Sequence, residues 1–80
     1  MKIPVIKQLV EQHSVSELEE AENDILEERP PSVEGAGDDA GDQLTNIMAA
    51  IWIKREMEQN ATDLNTALRA YAQKVRDSIS

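Results

Sequence analysis

Eighty residues are enough for one domain or one piece of an assembly, and a chain with one histidine and no cysteine excludes disulfide staples and Cys/His zinc sites. Sixteen carboxylates against eight Lys and Arg give a net charge of −8, a field that repels nucleic-acid phosphate and anionic lipid and leaves basic protein surfaces or cations as partners. The longest apolar run, residues 47–53, is seven residues against the roughly 20 of a membrane span, and Lys7 breaks the opening apolar stretch too early for a secretory leader, so a cytoplasmic protein with no membrane and no nucleic-acid partner is expected.

The charge is unevenly placed. Residues 11–42 carry twelve carboxylates and one base, Arg29, while the flanking segments are slightly basic. Pro4 suits the first turn of a helix, where its missing N–H has no partner anyway. Ile3, Ile6, Leu9 and Val10 then share a face of a short helix over 2–13. Ser14-Val15-Ser16-Glu17 has capping-box spacing and opens a second helix over 15–29. Leu18, Ala21, Ile25 and Leu26 form its apolar stripe, with glutamates on the other face. Pro30-Pro31 ends it, since neither proline donates to a helix.

Residues 30–41 hold three glycines and two prolines without an apolar period, which predicts a mobile loop. A third helix follows over 41–59, its opening aspartates suited to the positive end of the helix dipole. After a turn at Asn60-Ala61-Thr62, with Thr62 as N-cap, a fourth helix spans 63–79. It carries Leu64, Leu68, Tyr71, Val75 and Ile79. The third helix is apolar on two flanks: Leu44, Ile47, Ile51 and Trp52 on one, Ala49, Ala50, Ile53 and Met57 on the other. A helix apolar all round is the centre of a bundle or is shared between chains. With two long helices and two short ones the chain has too little material to wrap it, which predicts a homodimer.

Groups suited to catalysis are sparse. His13 at a helix end serves best as a partner for nearby carbonyls, and no spacing sets a nucleophile, base and orienter together. Gly35, Gly37 and Gly41 lack the spacing of a dinucleotide turn, and neighbouring Asp38, Asp39 and Asp42 repel phosphate. Those acids do not alternate as in a calcium loop. Val10, three residues before His13, excludes a di-iron Glu-x-x-His motif. A helix-turn-helix reading of the last two helices conflicts with the acidic field, and Arg69 and Lys74 are better placed to pair with glutamates of the second helix. No catalytic residue, metal or cofactor is expected. If the chain were an enzyme, Glu34, Asp38 and His13 would be its acid–base groups.

Asp42-Gln43-Leu44 opening a central helix in an acidic chain of this length is similar to the Asp-Ser-Leu of acyl carrier proteins. Gln43 has no hydroxyl for a phosphodiester, so the resemblance implies a carrier-like bundle without its prosthetic group. A wider resemblance rests on the opening Met1-Lys2-Ile3-Pro4-Val5-Ile6, the central Asp42-Gln43-Leu44-Thr45-Asn46-Ile47 with Ala49-Ala50-Ile51, and the closing Thr66-Ala67-Leu68-Arg69 with Val75-Arg76-Asp77-Ser78-Ile79. These resemble a small uncharacterised bacterial family, and the resemblance covers nearly the whole chain. That family has no assigned activity, so it implies a stand-alone cytoplasmic protein and transfers no catalytic residue or ligand.

The sequence therefore predicts a single all-α domain, a four-helix bundle whose last two helices form an antiparallel hairpin. Its expected core is Ile6, Leu9, Leu18, Ile25, Leu44, Ile47, Met48, Ile51, Leu64, Leu68, Tyr71 and Val75. The expected function is a non-enzymatic interaction module, self-associating through the third helix and part of the fourth at Ala49, Ala50, Trp52, Ile53 and Met57, with Trp52 in the core or at that interface. The alternative is an acidic regulator that occupies a basic protein surface through residues 17–42, using Glu19, Glu20, Glu27, Glu28, Asp38 and Asp39.

Overall fold

Every major helix–helix contact in the computed structural model involves one helix, and that helix is the third. The structure describes residues 2–79, and the side chain of Ile79, expected on the fourth helix's stripe, lies outside the described residues. The helices are α1 (Ile3–Gln12), α2 (Val15–Leu26), α3 (Ala40–Asn60) and α4 (Leu64–Ile79), with no strand among the described residues. α1, α2 and α4 each pack on α3 and scarcely on one another. The result is an all-α bundle arranged as a hub with three satellites.

Side-chain pairs fix the directions. The Lys2 backbone N–H donates to Asn46 Oδ1 at 3.0 Å and Lys54 Nζ donates to the Val10 carbonyl at 3.0 Å, so α1 runs parallel to α3. The Lys54 bond also satisfies one of the carbonyls left open at the end of α1. Arg55 pairs with Glu19 at 2.7 Å, while the end of α2 lies beside Ala40 and Gln43, so α2 runs antiparallel to α3. Trp52 and Tyr71, with ring centroids 5.6 Å apart and tilted 52°, mark the α3–α4 hairpin.

The helix starts follow side-chain chemistry. Ser14 and Glu17 form the expected reciprocal capping box. Asp39 caps α3 by accepting the Asp42 N–H at 2.8 Å. At α4 the cap is Asp63, which accepts the Thr66 N–H at 2.8 Å, and not the expected Thr62, whose buried hydroxyl has no hydrogen-bond partner. Carboxylate is the better acceptor for helix-start N–H groups.

α2 ends three residues before the expected 29, ahead of the prolines. Glu28 adopts a left-handed conformation (φ 60°). Its N–H donates to the Ile25 carbonyl and the Arg29 N–H to the Asp24 carbonyl at 2.8 Å, which is the Schellman pattern. Ala61 (φ 51°) ends α3 in the same left-handed region, with the Thr62 N–H reaching the Met57 carbonyl. Both positions use a residue with a Cβ where glycine would be less strained.

The expected loop is packed down. Val33 and Ala36 are buried, and the Asn46 amide donates to the Ala36 carbonyl at 2.8 Å. The Ser32 N–H donates to Asp24, and the Asp38 N–H donates to Asp42. A Cβ on Gly37 would lie 2.8 Å from the Gln43 backbone nitrogen, so only glycine lets the loop approach α3 this closely.

Of the expected core, Ile6, Leu9, Leu18, Ile47 and Ile51 are buried, while Ile25, Leu44, Leu64, Leu68, Tyr71 and Val75 are half-buried. Met48 is a correction. Its side chain points into the sector of α3 that no helix covers, and it is 51% exposed. The core gains Val10, Ala21, Val33, Ala36, Ala49, Ala50, Ile53, Ala67 and the fully buried Asn46.

Candidate interaction surface

Ala49, Ala50 and Ile53 have no exposed surface: α3 is wrapped by the chain's own helices and loop. The expectation that the chain lacks material to cover this helix is therefore corrected. Small side chains at 49 and 50 let neighbours approach closely, and the packed loop adds Val33 and Ala36 to the core. Trp52 and Met57 are half-buried. A charge placed at Ile53 would thus test folding and not association.

What α3 leaves open is a sector beside α2, at Met48. A groove of about 260 Å³ lies there, lined by Met48, Ile51 and Trp52 from α3, Glu19 and Glu22 from α2, and Arg55 at one end. Leu26, one turn beyond Glu22 on α2, is 64% exposed. Leu26 and Met48 are the two most exposed large apolar side chains among the described residues. Both fall on apolar stripes of the sequence, yet both share a helix face with polar residues. Met48 stands seven residues from Gly41 and Arg55, and Leu26 stands four from Glu22 and seven from Glu19. That company at helical spacing is the signal of an outward position.

The acidic set divides in two. Glu19, Glu20, Glu27, Glu28, Asp38 and Asp39 are all exposed. Glu19 is paired with Arg55, Asp38 with Lys2, and Asp39 is occupied as the α3 cap. Glu20, Glu22, Glu27 and Glu28 have no basic partner among the described residues. Arg69 and Lys74 make no ion pair with α2, which α4 scarcely touches.

Near the start of α1, Lys2 lies between Asp38 and Asp42. The Asp38 side chain, then that of Asp42, holds the Lys2 ammonium above its ordinary pKa. The Asp38 backbone N–H, helped by Lys2, holds Asp42 below the usual carboxylate range. These groups join the loop to α1 and α3 and present no reactive arrangement. His13 sits at the other end of α1, with Nδ1 buried, lacking a hydrogen bond and 3.9 Å from Glu17. Ten residues of helix, about 15 Å, separate it from the Lys2–Asp38 end. Gln43 lies in the first turns of α3, and its side-chain amide donates to the Gly37 carbonyl at 3.4 Å.

A second hollow, about 450 Å³, lies under Pro30 and Pro31, with Ile25, Glu28, Arg29, Ala40 and Gln43 around it. Its one cation, Arg29, is held by Asp24 at 3.1 Å. No group of three or more His, Cys, Asp or Glu side chains among the described residues is arranged to hold a metal, and no helix is long and apolar enough to cross a membrane.

Fold and surface define a small acidic all-α protein built round one buried helix, with a groove between that helix and α2. By sequence the chain belongs to a family of unknown function (DUF6952), whose model matches residues 1–80. Comparison with curated proteins and with solved structures gave no match.

Proposed function

We propose that the chain is a non-enzymatic protein-interaction module whose contact surface is the groove between α2 and α3. The observation that carries this reading is the exposure of Met48 in the groove, with the exposed Leu26 one turn beyond Glu22 on α2. Large apolar side chains grouped in a concavity mark binding surfaces more often than scattered ones do. The separation of His13 from Asp38 by the length of α1 supports a role without acid–base chemistry. The expected self-association now has a different surface available to it. Ala49, Ala50 and Ile53 are consumed inside the chain, while Trp52 reaches the groove.

A photo-crosslinking residue in place of Met48, in the cells from which the chain derives, tests the proposal. A discrete adduct from position 48, with none from the exposed Gln73 on α4, is expected. Loss of the position-48 adduct at full expression would overturn the reading. An adduct of twice the chain mass would identify a second copy as the occupant.

A further inference from the structure

We infer that the groove takes an amphipathic helix from a partner protein, with Lys or Arg flanking the helix's apolar stripe. This inference rests on the docking surface proposed above. Shape supports a helix. α3 has three helical neighbours and still leaves Met48 51% exposed, so a further helix can pack along it beside α2. The groove is bounded by α2 and α3, and no strand among the described residues offers an edge for an extended peptide. A helix laid along such a trough presents apolar side chains at three- and four-residue spacing to Met48, Ile51 and Trp52.

Charge selects the partner's sign. Glu22 lines the groove without a basic partner, and Glu20 on the same helix and Glu27 and Glu28 just past its end add uncompensated negative charge to the wider surface. Arg55, the only cation in the lining, is already engaged by Glu19 at 2.7 Å. A second copy would bring a net −8 against −8, which slows encounter and opposes docking, whereas a basic helix is steered toward the groove.

Trp52 is the chain's single tryptophan and lines the groove, so its emission reports occupancy directly. The full chain is titrated with a synthetic Leu/Lys peptide patterned as an amphipathic helix. Two comparators are a Leu/Glu peptide with the same apolar stripe and a Leu/Lys peptide of scrambled order. The expected result is a blue shift of Trp52 with the patterned basic peptide alone, weakening several-fold as salt rises to about 0.15 M. Met48→Glu should weaken binding about tenfold while leaving the circular dichroism spectrum unchanged, because Met48 is half in water already. Glu22→Lys should shift preference toward the acidic peptide.

Equal binding of basic and acidic patterned peptides, both sensitive to Met48→Glu, would overturn the charge selection and leave the docking surface intact. Binding of the scrambled peptide as tightly as the patterned one would overturn the helical occupant. A position-48 crosslink to a second copy would overturn the basic partner. Absence of any crosslink at position 48 would remove the docking surface itself, a failure the peptide titration does not share.

Discussion

α1 and α4 both lean on α3, and they do so very differently. α1 is ten residues long, buries Ile6, Leu9 and Val10 almost completely, and is fastened at both ends, by Lys2 to Asn46 and by Lys54 to Val10. α4 is sixteen residues long and buries only Ala67 fully, with Leu64, Leu68, Tyr71 and Val75 half-covered. The difference lies in what covers each helix from behind. The start of α1 shares the loop and the Asn46 amide with α3, while α4 touches little beyond α3. A shorter helix with polar fasteners is thus better anchored than a longer one with a wider apolar stripe, and length does not rank them.

The strongest way to break that comparison is to cut the fastener. Asn46 is fully buried, and its side chain satisfies the Lys2 N–H and the Ala36 carbonyl together. Asn46→Ala should cost about 2–4 kcal/mol, from two stranded backbone groups and a small void, as measured by chemical denaturation. Hydrogen exchange should quicken in α1 and the loop before α4. If α4 loosens first, the two sides of the molecule are not independently held.

On the other side, Tyr71→Ala removes the ring that packs on Trp52. A loss of about 1–2 kcal/mol is expected, less than for a fully buried aromatic, because Tyr71 is half-covered. Exchange should quicken in α4 while α1 stays protected. A larger loss than that of Asn46→Ala would make α4, and not α1, the better-anchored helix.

Two glycine substitutions sharpen the picture in the opposite direction. Glu28 and Ala61 each hold a left-handed backbone at a helix end. Glu28→Gly and Ala61→Gly should each raise stability by about 0.5–1 kcal/mol, readable as a higher denaturation midpoint. A lower midpoint would mean that the greater freedom of the unfolded glycine chain outweighs the relieved strain.

The smallest effect is a pH dependence. Asp42, held low by the Asp38 N–H and Lys2, and Asp63, held low by the Thr66 hydroxyl and N–H, have depressed carboxylate pKa values. Each contributes stability present above the ordinary carboxylate pKa of about 3.9 and lost as pH falls through the lower folded value. Asp42→Asn should therefore flatten the acid limb of the stability curve on the α1 side, and Asp63→Asn on the α4 side. An unchanged acid limb in either variant would show that its carboxylate is not specially stabilised by folding.

The fold is largely legible in the sequence, because its signals are local. The Pro4 start, the Ser14–Glu17 box and the Asp39–Asp42 opening each state a helix boundary within four residues, and the structure honours them. The central position of α3 is legible as well, from apolar residues on both flanks. What the sequence hides is long-range. Nothing near Asn46 announces that its amide reaches ten residues back and also serves Lys2, and so the loop reads as unattached. With the loop omitted, the chain is too small to cover α3, and Ala49, Ala50 and Ile53 read as surface. The groove is concealed for a related reason. Met48 and Leu26 match the apolar period of their helices, and only the polar company on their faces, Gly41 and Arg55 for one and Glu19 and Glu22 for the other, marks them as outward.

The bond between Lys2 and Asn46 spans 44 positions of chain, and this carries a consequence for synthesis. α1 and α2 have almost nothing to pack on except α3, so the first half of the chain leaves the ribosome with no core of its own. Until α3 follows, Ile6, Leu9 and Leu18 are in water, exposed to other nascent chains. The density of glutamate on α2 falls on the segment that must wait unpacked beside them. Like charge between neighbouring unfinished chains keeps them apart for those seconds, so the acidity that would later steer a basic partner also guards the polypeptide before it has a shape.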